Sequence, residues 1–429
     1  MKRPIGGALP PSPRGANHQS LITDYYHSRS LSWLLDSDSC ILAVTMSDFF
    51  QHGLISTLHR LNQAEPDEDQ TLQEAGLGLL LPCHARDIDA KPLIDTVAML
   101  NQLSLFDHAI ISINGFASVH DAIDFWSQLR TPHTLLWNDS PTFISWLRNH
   151  DLPAVSGKGL NLWSGLGFAV SETELQALVI HDCDIQNYTA SLPISLAVPV
   201  AGLEYEFCKG FYSRVQEQLY GRATRLFMIP LVRALVRTLG HLPLLDFIDS
   251  FRYPLAGECA LSTGVAASLS VENGWGVEIG WLCEAYRLID PEEICQVDLA
   301  MRYHHRHQSI NPERPAEGLL GMVTDIALSI LTHLEKEGCS LDSSTLAEVV
   351  SGYEQTANDI IRRYRDVAEF NKLPFNRDEE RQTARLFQER LRFVAEEFTD
   401  GTRMQSLPPW DQLLREVSFP AESIVRQSR

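Results

Sequence analysis

The chain has 429 residues, enough for one large domain or two moderate ones. Hydrophobic residues make up 44% and charged residues 21%, the balance of an ordinary globular chain able to bury a full core. Thirty-five basic residues against 55 acidic ones leave a net charge of −20. A surface that acidic repels nucleic acid and anionic membranes, so neither is expected as a partner, and any anionic substrate needs a local basic pocket or a metal. The eight cysteines form no CxxC pair and read as reduced thiols filling a core. The N-terminal MKRPIGGALPPSPRG lacks the apolar stretch of a signal peptide, and no segment approaches the roughly 18 apolar residues of a membrane span, so a cytoplasmic location is expected.

In chain order, residues 1–20 are rich in Pro, Gly and Ser and read as a disordered tail. Residues 21–70 form an N-terminal extension, with a helix-like stretch at 53–61 and an acidic linker at 64–70. From 71 the rhythm changes. LGLLLPC (77–83) reads as a buried strand, 91–102 as a helix, HAIISING (108–115) as a strand and 120–130 as a helix. HTLLWN (133–138) reads as a strand, 142–150 as a helix, the glycine-opened 157–172 as another, and LQALVIHDCDI (175–185) as the strand that ends the series. This alternation predicts an α/β fold, a mostly parallel sheet flanked by helices. From 316 onward three long amphipathic helices predict a helical C-terminal extension, the first stopping at Gly338.

Five features carry chemistry. Asp182-Cys183-Asp184 follows an apolar strand directly, and ligands of open α/β sheets bind beyond strand carboxyl ends. Two carboxylates there suit a hard divalent cation, although the chain has three other DxD patterns, at Asp36, Asp67 and Asp87, and strand-end acids often simply face water. Gly157-Lys158-Gly159 allows close backbone approach beside a point charge, and reads equally as a helix start with a surface lysine. Residues 209–237 hold Lys209, Arg214, Arg222, Arg225, Arg233 and Arg237 against the single acid Glu217. Within them, Gly221-Arg222-Ala223-Thr224 offers N–H groups, a hydroxyl and a guanidinium fork, the parts of a phosphate cradle or else of a solvated basic face. Arg302-Tyr303-His304-His305-Arg306-His307 places histidines among arginines, suited to a metal beside a polyanion, with the ligating His open from spacing. Glu258 and Glu278 are glycine-flanked acids, either sugar-binding or base-type carboxylates or buried acids satisfying backbone groups.

Taken in order, GKGLNLW, HDCDI, GRATRL, PLAGE, GWGVEIG and QVDLAMRYHHR resemble the glucosyl-3-phosphoglycerate synthase family, retaining glycosyltransferases of the GT-A fold, over about residues 77–310. The resemblance implies a nucleotide-sugar-binding subdomain at 71–190 and an acceptor-binding subdomain at 191–315, ahead of the extension at 316–429. It implies donor contacts from Pro82, Asn114, Lys158, Asp182, Cys183, Leu255 and Trp275. It implies acceptor contacts from Gly221, Arg222, Ala223, Thr224, Arg302 and Arg306, the last standing where the family has Asn. Asp184 and His304 would hold Mg or Mn, and Glu278 and Asp184 would be the catalytic carboxylates. A homodimer is implied as well. The family's acidic LNEE pattern after the first strand reads His84-Ala85-Arg86-Asp87 here, which puts the nucleotide-base contacts in question. The expected activity is transfer of glucose, UDP-glucose favoured as donor, to 3-phosphoglycerate. The alternatives are a related transferase using GDP-mannose or glycerate, and a catalytically silent nucleotide-sugar-binding regulator.

Overall fold

Apolar runs closed by polar or turn residues become strands at the heart of the molecule, and the amphipathic segments between them become helices. The computed structural model describes residues 51, 53–61, 70–300, 303–304 and 309–428. The expected disordered tail, most of the N-terminal extension, Arg302, His305, Arg306 and His307 therefore lie outside the described residues. Residues from Gln51 onward belong to one compact unit, within which all the subdomain divisions from 71 onward fall.

Among the described residues nine strands form one mixed sheet in the order β1-β9-β6-β7-β5-β2-β3-β4-β11. They are β1 (Ser56–Leu58), β2 (Leu77–His84), β3 (His108–Asn114), β4 (His133–Trp137), β5 (Ala177–Ile180), β6 (Phe207–Tyr212), β7 (Cys259–Ser262), β9 (Ile294–Ala300) and β11 (Val425–Ser428). Neighbours run parallel except at β7, which lies antiparallel between β5 and β6, and at the edge strand β11. A separate ribbon pairs β8 (Val271–Glu272) with β10 (Ser406–Leu407). The strand β2 is buried along almost its whole length, as expected of a strand covered on both faces.

The flanking helices are α1 (Lys91–Leu100), α2 (His120–Trp126), α3 (Pro141–Asn149), α4 (Lys158–Glu172), α5 (Ser191–Gly202), α6 (Ile229–Leu239) and α7 (Val277–Leu288). Three long helices follow: α8 (Gly318–Lys336), α9 (Ser343–Phe370) and α10 (Arg377–Thr399). Gly338, at φ 85°, ends α8 in a Schellman turn: Cys339 N bonds Leu334 O at 3.0 Å and Gly338 N bonds Glu335 O at 2.9 Å. By length and composition α8 is apolar enough to cross a membrane, contrary to the expectation from sequence, but 67% of it is buried inside the body. It is a core helix, and its leucines, isoleucines and valines join one continuous apolar cluster with α4, α6, α7, α9 and α10. A second cluster covers the opposite face of the sheet around Leu81, Ile111, Trp126 and Leu196. Each such side chain removed from water contributes on the order of 1.5–3 kcal/mol before chain entropy is counted.

The tail after α10 returns to this core. Trp410 stacks on Trp163 of α4 at 4.1 Å between ring centres, and each indole N–H donates to the other segment's backbone, Trp163 to Pro408 O and Trp410 to Trp163 O.

One expectation is corrected. The stretch at 53–61 is not a helix; Ser56–Leu58 pairs parallel with β9 as an edge of the sheet. Leu54, Leu58 and Leu61 mimic helical spacing, but the buried β-branched Ile55 and Thr57 seat against the sheet, and Gln296 Nε2 donates to Thr57 Oγ1 at 3.0 Å. A ladder made with a strand far along the chain overrides a weak local preference.

Candidate active site

The strands β2 and β5 lie side by side, yet the chain leaves β2 toward β3 and β4 before returning to β5 on the other side. Such a switch point opens a crevice at the carboxyl ends of the strands. Pro82 and His84 end β2, Asn114 ends β3, and His181-Asp182-Cys183-Asp184 leaves β5. Together with the start of α4 and the loops before α6 and α7 they enclose a cleft of about 510 Å³.

Lys158, at the first turn of α4, reaches into it. Its Nζ lies 2.6 Å from Asp182 Oδ1 and 2.7 Å from Glu278 Oε1. Burial opposes the ammonium charge, but the two carboxylates hold its pKa well above the ordinary lysine value. Gly257 packs closely over this triad: a Cβ there would sit 2.8 Å from Lys158 Nζ and 2.9 Å from Asp182 Oδ2, so a larger residue would have to push these side-chain tips aside. Glu278 stands in the first turn of α7, where the helix dipole favours a carboxylate. Behind the motif, His181 is fully buried, hydrogen-bonded to Asp182 O and to the Tyr188 hydroxyl, each at 3.0 Å. Burial lowers its pKa to about 4, so it acts as a neutral strut under the DxD loop.

Asp184 sits among like charges. Burial, then Asp182, Asp87 and Glu258, raise its carboxyl to about 7 against partial relief from Lys158. Glu258 is buried, its pKa raised by desolvation, and it accepts from the hydroxyls of Tyr303 at 2.5 Å and Tyr212 at 2.9 Å, whose rings stack at 3.8 Å. It therefore supports the floor of the cleft and does not line it. His304 does not line the cleft; its backbone is tied to the loop beyond Asp184, accepting from Gln186 N at 2.7 Å and donating to Asn187 Oδ1 at 3.0 Å. Among the described residues no three His, Cys, Asp or Glu side chains gather into a ready-made metal cage. One or two carboxylates in an over-acidic pocket fit a cation of the magnesium type, which takes its remaining ligands from water and substrate phosphates.

At the other end, Gly221, Arg222, Ala223 and Thr224 line the cleft with Arg214, Tyr220 and Tyr253. Gly221 adopts φ 72°, a left-handed turn. Residues Ala223–Met228 form a π-helical turn, and Pro230 opens α6 behind it, so the proline starts a fresh helix. Thr224 Oγ1 is buried without a hydrogen-bond partner among the described residues. The basic stretch at 209–237 is not one face: Arg225 and Lys209 are buried, and Arg233 pairs with Asp249 at the surface, 3.0 Å away.

Leu255 and Trp275 line the cleft, as do Leu319, Met322 and Ile326 of α8. The Trp275 loop is held from behind. Asp325 of α8 accepts from Trp275 N at 2.9 Å, and Glu272 accepts from Ser329 at 3.0 Å and faces His333 Nε2 at 2.9 Å. Arg287 donates to His333 Nδ1 at 3.2 Å, which leaves Nε2 as the protonated nitrogen of a neutral ring. Burial lowers His333 to about 3 and raises Glu272 to about 8 from 4.5. Between pH 4.5 and 8 the folded Glu272 keeps a proton that the unfolded chain releases, so its contribution favours the fold below 4.5 and is lost as pH rises through 8. Glu272→Gln should accordingly flatten the decline of Tm between pH 5.5 and pH 8.5, read by thermal melts; an unchanged slope refutes the assignment.

Of the residues expected at the site, Pro82, Asn114, Lys158, Asp182, Cys183, Asp184, Gly221, Arg222, Ala223, Thr224, Leu255, Trp275 and Glu278 all line this one cleft. Sequence reasoning missed Asp87, Asn161, Ser156 and Arg214, which line it too. Asp87 was visible as one of the discounted DxD patterns. It lies on the 3-10 turn that follows β2 directly, and its charge acts on both Cys183 and Asp184.

No family model matches the chain. The glucosyl-3-phosphoglycerate synthase of Persephonella marina is 31% identical over 371 residues, covering 83% of this chain and 91% of that protein. The chain belongs to the glucosyl-3-phosphoglycerate synthase family. The synthase of Methanococcoides burtonii is 30% identical, covering 79% of this chain and 86% of its own. Mannosyl-3-phosphoglycerate synthase from Rubrobacter xylanophilus shares the fold, with a TM-score of 0.50 at 20% identity over 66% of this chain and 82% of that one. The protein is thus a glycosyltransferase with the α/β fold of the glucosyl-3-phosphoglycerate synthases, and its cleft is the place to seek the reaction.

Proposed function

We propose that the protein transfers glucose from UDP-glucose to the 2-hydroxyl of 3-phosphoglycerate with retention of configuration, giving glucosyl-3-phosphoglycerate. The observation that carries this reading is the sharing of one cleft by the acidic Asp182–Asp184 end and the basic Arg222–Thr224 end. The two ends have opposite needs. A diphosphate beside acids requires a cation, and a phosphate-bearing acid requires guanidinium and hydroxyl donors.

The donor lies along Pro82, Asn114, Lys158, Asp182 and Cys183, with its sugar toward Leu255 and Trp275. Asn114 is oriented for this, donating to Ser156 Oγ at 3.2 Å and accepting from Asn161 at 2.9 Å. A divalent cation, Mg or Mn, would be held by Asp184, with His304 turning in from the adjoining loop outside the cleft lining, and would supply Lewis-acid neutralisation of the diphosphate. Glu278, its carboxylate fixed by Lys158, orients sugar hydroxyls and steadies positive charge at the anomeric carbon. The bond from that carbon to the β-phosphate oxygen breaks, the bond to the acceptor oxygen forms on the same face, and the acceptor proton passes to the departing phosphate. No protein nucleophile is required. Gly221, Arg222, Ala223 and Thr224 position the acceptor, with Arg302 and Arg306 as further basic contacts. Residues 71–190 are the nucleotide-sugar half, 191–315 the acceptor half and 316–429 the helical extension; the proposal includes a cytoplasmic homodimer.

Incubation with UDP-glucose, 3-phosphoglycerate and Mg should release UDP and form the glucosylated acid. Donor protection against heat with no product under a panel of donors and acceptors would overturn the reading in favour of a silent binder. Arg222→Ala should raise the acceptor KM by about 10- to 100-fold, the loss of charged hydrogen bonds, and leave the donor KM nearly unchanged. An unchanged acceptor KM removes Arg222 from the acceptor site.

A further inference from the structure

We infer that the helical extension sets the acceptor loop through Glu380, making Glu380 and Arg225 positioning residues for the acceptor. The inference rests on the acceptor reading of Gly221–Thr224. Arg225 directly follows that segment but does not line the cleft. It turns away and is buried, its guanidinium clamped by both oxygens of Glu380, Nη1 to Oε2 at 2.6 Å and Nη2 to Oε1 at 3.0 Å. The fork also holds the loop itself: Nε donates to Tyr220 O at 2.8 Å and Nη2 approaches Leu219 O at 3.4 Å. Tyr364 of α9 lies with its ring 5.0 Å from the guanidinium. A planar five-donor group is needed for this, since it serves a carboxylate and two carbonyls at once.

Glu380 stands in the first turn of α10, where Asn376 caps the free N–H groups of Asp378 and Glu379 and the helix dipole favours its charge. The extension also grips the π-turn at one point and the start of α6 at another. The Tyr353 hydroxyl donates to Leu226 O, and Thr356 Oγ1 donates to Pro230 O at 2.9 Å. A π-turn leaves carbonyls outside the regular ladder, and Tyr353 of α9 satisfies that of Leu226. The loop from Leu219 to Thr224 is therefore fixed at its base by residues more than a hundred positions later, and the placing of Arg222 and Thr224 follows from that base.

Glu380→Gln keeps the shape and removes the charge. In the full chain the acceptor KM should rise at least about tenfold, with the donor KM and the kcat at saturating acceptor within about twofold of the parent. Should that variant fail to fold, Glu380→Asp, which keeps the charge one methylene back, is read for the same split. Leu391→Ala, buried on the same helix, serves as the control: it should lower Tm and leave the acceptor KM unchanged. If Leu391→Ala raises the acceptor KM as much as Glu380→Gln does, general loosening explains the effect and the inference falls. If Arg222→Ala raises the acceptor KM and Glu380→Gln does not, the inference falls alone. If Arg222→Ala is also silent, the acceptor reading falls with it.

Discussion

Asp184→Asn is expected to cut glucosyl transfer by on the order of a thousandfold or more, the largest single effect at the site. The reason is the crowding of charge around it. Asp184 shares its pocket with Asp182 and Asp87, Glu258 adds its charge from beneath, and Lys158 offsets only part of that repulsion. Like charges gathered round Asp184 make a cation-attracting end of the cleft. The amide keeps the size and hydrogen-bonding shape and removes the charge. Initial rates over a Mg and Mn concentration series give the measurement. Turnover within about tenfold of the parent at high metal would end the assignment of Asp184 to the cation.

Lys158→Met should act on donor binding and stability together. The ammonium bridges Asp182 and Glu278, at 2.6 and 2.7 Å. Its removal leaves two facing carboxylates without a shared counter-charge. Stripping one partner from a fully buried pair costs about 3–5 kcal/mol. Lys158 retains 20% side-chain exposure, so water relieves part of this and a loss of roughly 1–3 kcal/mol follows, a fall of a few degrees in Tm. The donor KM should rise by roughly a hundredfold, because Glu278 and Asp182 lose their fixed geometry. A lowered Tm with an unchanged donor KM would leave Lys158 a structural tie alone.

The half of the fold that builds the donor end was readable because its signals are local. LGLLLPC, HAIISING, HTLLWN and the run before HDCDI are apolar, short and closed by turn or polar residues, and each becomes a strand. The strands β6, β7 and β9 gave no such signal. Lys209 and Gly210 interrupt Phe207–Tyr212, and Lys209 is a buried charge whose desolvation lowers its pKa, so in sequence it counted toward a basic patch. Cys259–Ser262 is only four residues long and exists by pairing on both sides. At the site, the order of motifs was enough to bring thirteen residues to one cleft. What the order could not give was division of labour within GRATR. Arg222 and Arg225 look alike in sequence, and only the distant Glu380 draws the second away from the ligand. Glu258 and Glu278 likewise share a glycine-flanked pattern, and two tyrosine hydroxyls separate a supporting acid from an accessible one.

The late strand β11 closes the sheet beside β4, and Trp410 locks into α4. During synthesis, then, the open rim of β4 waits uncovered until nearly all the intervening chain has emerged from the ribosome. An uncapped strand rim is a template for stray pairing. Fusions or truncations at residues 406–428 should therefore reveal themselves first as poor soluble yield, well before any change in chemistry is measurable.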